Sequence, residues 1–235
     1  MQLSVCISPS LLPLFKLEDA LVVVIDIFRA SSSICYGIEN GAQAIIPVSE
    51  LSECKSYADA GYLLAAERNG EVVEGFDFGN SPFEYTPEKV GGKTIVITTT
   101  NGTRALKLSE KAQHVVMGSF LNLSAICAWI TVQNRNVILL CAGWKGNFCL
   151  EDTLFAGAVA STLQIEGLEM DDAALAARDL YALAKADLGA YLRKSSHATR
   201  LKGLNIERDI TFCLQQDVVK SIPILKQGRL VRLVL

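Results

Sequence analysis

Thr94-Ile95-Val96-Ile97-Thr98-Thr99-Thr100-Asn101-Gly102-Thr103-Arg104-Ala105 runs from a β-branched apolar segment through a polar Asn-Gly turn into helix formers. That order reads as a strand over 93–99, a tight turn, and a helix over 102–110. A strand feeding directly into a helix is the repeating unit of an α/β protein. The turn also has a chemical reading. A helix start leaves backbone N–H groups without intrahelical partners. The hydroxyls of Thr100 and Thr103, the Asn101 amide and the Arg104 guanidinium crowd the same spot. Every group offered is a donor or a cation, which suits a phosphate or another oxyanion. An ordinary capped βα turn is the structural alternative.

Working outward, the same alternation recurs. Residues 1–7 and 21–28 read as strands, 31–39 as a short helix and 44–48 as a strand. A helix over 49–60 and a strand over 62–67 follow. Beyond the quoted stretch come a strand over 114–118, a helix over 122–131, a strand over 137–141 and a long helix from near Glu151. Continuous apolar strands separated by helices predict an α/β layered fold around a buried sheet, largely parallel or mixed. From Asp171 the pattern becomes helix after helix, with Asp172 the expected N-cap of a helix over 173–192. Residues 222–225 and 229–235 read as two short strands around Gln227-Gly228. The segment 68–90, dense in Gly, Pro and acidic residues, has little periodicity, and a stretch of that kind inside a compact domain is more often functional than idle.

With 235 residues and no visible linker, the chain reads as a single domain, 1–235, with two interlocked halves (about 1–120 and 121–235) as a variant. Half of it is hydrophobic, yet no apolar run approaches the roughly 18 residues of a membrane span. The first residues lack the basic start and apolar centre of a signal peptide. The net charge of −3 with no basic block argues against nucleic acid as a partner. Seven cysteines, none in a Cys-x-x-Cys pair, and two histidines make zinc improbable and point to a reducing cytoplasm.

Polar clusters fall where strands are expected to end, the place where open α/β sheets bind ligands. Asp26 closes the apolar run Val22-Val23-Val24-Ile25 and is followed by Arg29-Ala30-Ser31. An acid there is costly unless paired, with Arg29 for example, or bound to a metal. Glu67-Arg68 precedes Gly75-Phe76-Asp77-Phe78-Gly79-Asn80-Ser81-Pro82, whose glycines and proline fix an unusual backbone. Cys141-Ala142-Gly143-Trp144-Lys145-Gly146 leads to Glu151-Asp152. Those two carboxylates either complement a helix dipole or supply oxygen ligands to a hard cation. Ser195-Ser196-His197 is followed by Glu207-Arg208-Asp209. Known phosphate machinery is missing: Gly92-Lys93-Thr94 has Pro87 where a P-loop needs its first glycine. No cysteine is followed six residues later by arginine, and Asp26-Ile27-Phe28 lacks a second aspartate. No Gly-x-Ser-x-Gly elbow accompanies His197.

Taken in order, Asp26 to Ser31, Glu67-Arg68, Gly75 to Pro82, Thr99 to Thr103, Cys141-Ala142-Gly143 with Glu151-Asp152, and Ser196-His197 resemble the 2-phosphosulfolactate phosphatases, a family named for its member in coenzyme M biosynthesis. The resemblance runs from about Val22 to about Cys213. Phe28 and Ser31 stand where the family usually has Val or Leu and often Thr. Membership implies a three-layer α/β/α fold with an internal duplication. It also implies a Mg²⁺-dependent acid phosphatase that converts 2-phospho-3-sulfolactate to 3-sulfolactate and phosphate.

On that reading Asp26, Glu151 and Asp152 carry catalysis, and Mg²⁺ is held among Asp26, Asp77, Glu151 and Asp152. Arg29, Arg68, Asn80, Ser81, Asn101, Gly102, Thr103, Arg104, Lys145 and His197 hold a small anionic phosphorylated substrate. Direct attack by water and a phosphoenzyme at Asp26 both remain open. So do a phosphatase for another phosphorylated hydroxy acid and a binder of such metabolites that does not turn them over. A homo-oligomer is compatible with this reading.

Overall fold

The computed structural model describes residues 1–68, 71–196 and 206–234. Among them an 11-stranded sheet runs β5-β4-β6-β3-β11-β10-β7-β2-β8-β1-β9. Its strands are β1 (Gln2–Cys6), β2 (Leu21–Ile25), β3 (Ala44–Pro47), β4 (Leu63–Arg68), β5 (Glu71–Val72), β6 (Thr94–Thr98), β7 (His114–Gly118), β8 (Val137–Cys141), β9 (Glu169–Met170), β10 (Pro223–Lys226) and β11 (Arg229–Arg232). The helices are α1 (Ala30–Glu39), α2 (Leu51–Lys55), α3 (Pro87–Val90), α4 (Gly102–Leu108), α5 (Leu123–Gln133), α6 (Leu150–Thr162), α7 (Asp172–Ala184), α8 (Leu188–Leu192) and α9 (Glu207–Cys213). Among the described residues no helix is long and apolar enough to cross a membrane.

The sheet is covered on both faces, giving the three-layer α/β/α arrangement. Side chains of a strand alternate between faces, and β2 shows what each face meets. Leu21, Val23 and Ile25 join the core built with α5, α6 and α7. Val22 and Val24 join the opposite core with Ile34 and Ile38 of α1 and Leu106 of α4. A strand buried on both sides has no polar register, which is why 21–25 reads as a continuous apolar run.

Strand direction changes across the sheet. Strands β7, β2, β8, β1 and β9 are mutually parallel, as are β3, β6 and β4. The β10–β11 hairpin sits between the two sets and is antiparallel to both. The sets therefore run in opposed directions and do not divide near residue 120, because β1 and β2 pair with β8. Five inter-strand steps separate β2 from β6. At roughly 20–25° of twist per step they accumulate to about 100–125°. The C-terminal ends of β2, β6 and β4 nonetheless meet: Gly102, after β6, lies against Asp26, after β2, and Glu67 of β4 pairs with Arg29.

Several elements differ from the sequence expectations. The second strand ends at Ile25, because the Asp26 backbone is diverted: its C=O accepts from the N–H and the hydroxyl of Ser31, both at 2.8 Å. The helix expected over 49–60 breaks after Lys55 into a 3-10 turn closed by Gly61 at φ +73°. That expected over 173–192 breaks between α7 and α8. Its cap is Asp171, whose carboxylate accepts the Ala174 N–H at 2.7 Å, and Asp187 recaps α8.

Candidate active site

The end of β2 is held from three sides. On one, Ala142 donates its N–H to the Ile25 carbonyl at 2.7 Å, extending the β2–β8 pairing into the loop after β8. On the second, buried Asp152 accepts N–H bonds from Ile27 at 2.9 Å and Gly143 at 3.0 Å, clamping the loops after β2 and β8 together. Gly143 sits at φ +63°, and a Cβ there would lie 2.2 Å from the Asn147 carbonyl oxygen, so only glycine serves. On the third side, α4 packs its first residue against Asp26. A Cβ on Gly102 would fall 2.8 Å from Asp26 Oδ2 and 3.3 Å from the Ala30 Cβ.

Glu151 and Asp152, in the first turn of α6, are both buried. Burial first, then the charges of Glu151 and Asp26, push the Asp152 carboxyl well above the usual range, against the two N–H bonds it accepts. The same three carboxylates push up the Cys149 thiol, with burial again the largest cause. Asp26, Glu151 and Asp152 are thus within electrostatic reach of one another. Like charges gathered away from water are costly unless a proton or a cation joins them. Among the described residues no three such side chains form a closed metal centre.

A second cluster adjoins the first. Arg29, the buried N-cap position of α1, pairs with Glu67 of β4 at 2.6 Å and with Asp209 of α9. Asp209 also accepts the Ser81 hydroxyl at 2.9 Å. Burial works against the Arg29 charge, but Glu67 and Asp209 outweigh it and hold its pKa above the usual arginine value. Arg29, Glu67, Asn80, Ser81 and Asp209 line a cavity of about 280 Å³. Asn80 is buried there with its Oδ1 accepting no hydrogen bond, while its backbone carbonyl takes the Ser33 hydroxyl. Asp209, Arg29 and Asp26 all act on the buried Cys213 thiol, so the two clusters form one neighbourhood. Arg68 closes it at the sheet, donating to the Glu67 carbonyl at 2.8 Å and to Thr98 Oγ1 at 3.4 Å.

Other expected site residues are not brought here. Asp77 spends its carboxylate on the Leu64 N–H at 2.7 Å, at the start of β4 rather than at its end. Arg104 is exposed two residues beyond Gly102, on the opposite side of α4. It lines a separate concavity with Ser49, Thr99 and Lys107. The oxyanion cradle expected of Thr103 is already used: its N–H donates to Thr99 Oγ1 at 3.1 Å and its hydroxyl to the Thr99 carbonyl at 2.7 Å. Asn101 accepts the Lys145 N–H at 3.2 Å and so ties the turn before α4 to the loop after β8. The Lys145 side chain itself is exposed, its ammonium 5.4 Å from the Trp144 ring centroid. His197 lies outside the described residues.

The sequence reading left Glu67 and Asp209 without a role. A signal for Asp209 was present: Ile206, Asp209 and Cys213 form one i, i+3, i+7 stripe, and an acid in such a stripe needs a buried partner.

The whole of this neighbourhood lies within the part of the chain, residues 6–228, that matches the family model described as 2-phosphosulpholactate phosphatase. The chain belongs to that family. A protein of Caldanaerobacter subterraneus subsp. tengcongensis named probable 2-phosphosulfolactate phosphatase is 43% identical over 217 residues, covering 90% of each chain. One of the same name from Thermotoga maritima is 39% identical over 216 residues, 92% of this chain and 93% of its own. Another, from Clostridium beijerinckii, is 33% identical over 236 residues, 98% of this chain and 99% of its own. These three relatives match between 90% and 98% of the chain.

Proposed function

We propose that this protein hydrolyses 2-phospho-3-sulfolactate to 3-sulfolactate and inorganic phosphate, with Mg²⁺ as cofactor. The observation that carries the reading is the meeting of Asp26, Gly102, Gly143, Glu151 and Asp152. Three stretches distant in sequence, the loop after β2, the start of α4 and the segment running from the loop after β8 into α6, meet at the end of a buried strand and gather a carboxylate trio beside the cavity that Arg29 lines.

The donor chemistry of that trio fits Mg²⁺. Mg²⁺ takes oxygen ligands, keeps several waters and needs only one or two carboxylates from a protein. Burial and the neighbouring carboxylates push up the thiols of Cys141 and Cys149. Asp26 and Glu151 would hold the ion, since Asp152 is engaged by two backbone N–H groups. When bound, Mg²⁺ neutralises charge on the phosphoryl oxygens and draws the substrate to the carboxylates.

The chain's own residues supply the rest. Phosphoryl transfer asks mainly for positioning and charge stabilisation. Asp26, fixed over Gly102, takes a proton from the attacking water as the new O–P bond forms. The ester P–O bond breaks, the leaving oxygen takes a proton from solvent to become the hydroxyl of 3-sulfolactate, and Asp26 releases its proton to solvent to complete the cycle. Arg29, held by Glu67 and Asp209, and Arg68 at the end of β4 would set positive charge beside the negative substituents of the substrate. Ser81 and Asn80 line the same cavity.

The test is phosphate release by the purified protein, with and without Mg²⁺, from phosphosulfolactate beside phospholactate and phosphoglycolate. Metal-dependent turnover of the sulfonate alone is expected. Equal turnover of all three would leave a broader phosphatase, and calorimetric binding without release would leave a binding protein. Asp26→Asn should abolish release while the chain stays folded.

A further inference from the structure

Arg29 is gripped from two remote parts of the chain. Its Nη2 meets Glu67 Oε2 at the end of β4, and its Nη1 meets Asp209 Oδ2 on α9, 180 residues away. The other Asp209 oxygen accepts the Ser81 hydroxyl. The ion pair is not the sole contact that docks α9. That helix is already anchored by apolar contacts: Cys213 is fully buried, and the Phe212 ring lies 5.0 Å from those of Tyr36 and Phe83.

We propose that Asp209 is a positioning residue: it fixes the Arg29 guanidinium at the wall of the substrate cavity and restrains its charge. The inference rests on the phosphatase reading above. A single carboxylate leaves a guanidinium able to pivot, whereas carboxylates on both terminal nitrogens set its plane. The Glu67–Arg29–Asp209 trio carries a net charge of about −1 when all three are ionised, so Arg29 pulls on an anion less strongly than a lone buried cation does. The restraint suits turnover. Tighter ground-state binding of an anion does not raise kcat, and both products are anions that must leave. Asp209 therefore trades affinity for placement.

The experiment uses Asp209→Asn, which keeps the shape and removes the charge, with Asp209→Glu as the conservative return of charge. With phosphosulfolactate, kcat of Asp209→Asn should fall on the order of 10- to 100-fold, the loss that misplacing a group at a reacting centre brings. KM should not rise, inorganic phosphate should inhibit more strongly, and Asp209→Glu should recover part of kcat. A purely structural role predicts a lower Tm with kcat, KM and phosphate inhibition of the folded enzyme unchanged, and that outcome overturns the proposal. So does a raised KM at unchanged kcat. If Asp209→Asn does not fold, Ser81→Ala, which removes only the hydroxyl on Asp209, is judged by the same kcat-against-KM split with a smaller drop expected. If the wild-type protein releases no phosphate, the phosphatase reading fails on its own. The positioning role is then judged by calorimetry with inorganic phosphate: tighter binding to Asp209→Asn than to wild type supports it, and equal or weaker binding overturns it.

Discussion

Gly102→Ala isolates the placement of Asp26 from the stability of the fold. Gly102 opens α4 at a negative φ, so alanine meets no backbone obstacle there. Alanine even gains about 1 kcal/mol of helix propensity over glycine. What it lacks is room. The new Cβ would stand 2.8 Å from Asp26 Oδ2 and 3.3 Å from both Ala30 Cβ and Thr99 Oγ1. Comfortable C···O contacts lie at about 3.3–3.6 Å, so the Asp26 carboxylate must retreat by roughly 0.5–0.8 Å.

That displacement is small for folding, since the tip of one side chain can move. It is large for a site whose groups must be held within about 0.5 Å of the productive geometry. Stability should stay within about 1 kcal/mol of wild type, the propensity gain offsetting the contact strain. The value of kcat should fall on the order of 100-fold, the penalty for misplacing a reacting group by about 1 Å. Thermal melts and steady-state phosphate release on the same preparation read the two quantities. A variant that keeps its Tm and its kcat would refute the idea that Asp26 must sit against α4 to act.

Gly157→Ala is the opposite case. Its Cβ would meet the Ala177 carbonyl oxygen at 2.0 Å and Tyr181 Cβ at 2.8 Å, where α6 crosses α7. Backbone cannot retreat as a side chain can, so a loss of about 1–3 kcal/mol or more is expected in denaturant melts, with kcat of the folded fraction unaltered. Mg²⁺ should raise the Tm of the wild-type protein, and Asp26→Asn with Glu151→Gln should erase that rise; a rise that survives both changes would place the ion elsewhere. Burial opposes ionisation of Glu39, but the N–H groups of Ser221 and Lys220 and the charge of Arg232 outweigh it and lower its pKa from the ordinary 4.5. A depressed carboxyl stabilises above its unfolded value and loses that contribution as pH falls through its folded value. The Tm gap between wild type and Glu39→Gln should therefore be present at pH 7 and close below about pH 4.5, as a pH series of melts would show.

What could be read from the sequence follows from the range of the forces involved. The strand-turn-helix units were legible because burial on both faces leaves a continuous apolar run, as at Val22 to Ile25, and because a turn must carry turn residues. The acids Asp26, Glu151 and Asp152 stood out because each interrupts an apolar context. The direction of individual side chains was not legible. Thr103 and Arg104 share a tetrapeptide with Gly102, yet one is spent on Thr99 and the other faces away. At 100° per residue, neighbours on a helix cannot all face one ligand. Asp77 looked like a ligand because it sits among glycines, but its carboxylate closes its own loop onto Leu64. Non-local pairing was the other blind spot. Nothing near residues 222–235 says that the terminal hairpin will stand between β7 and β3 and reverse the direction of half the sheet.

That reversal has a consequence for chemistry. In a simple parallel α/β sheet, all strand ends that bind ligands lie along one edge, and the loops meeting there come from neighbouring strands. Here the hairpin separates two parallel sets, yet β4 and β6 end beside the end of β2. The contacts that result are Arg29 with Glu67 and Gly102 with Asp26, each joining one set to the other. The proposed substrate carries roughly four negative charges near neutral pH, and the carboxylate trio would repel it. Such an anion enters only where cationic groups are set against the carboxylates at fixed distance. Arg29 and Arg68 come from different sets, so that separation is fixed by the rigidity of the sheet rather than by any one loop. Substitutions that loosen the β7–β10 or β3–β11 pairing should therefore weaken turnover before they unfold the chain, because they alter the spacing of the two sets.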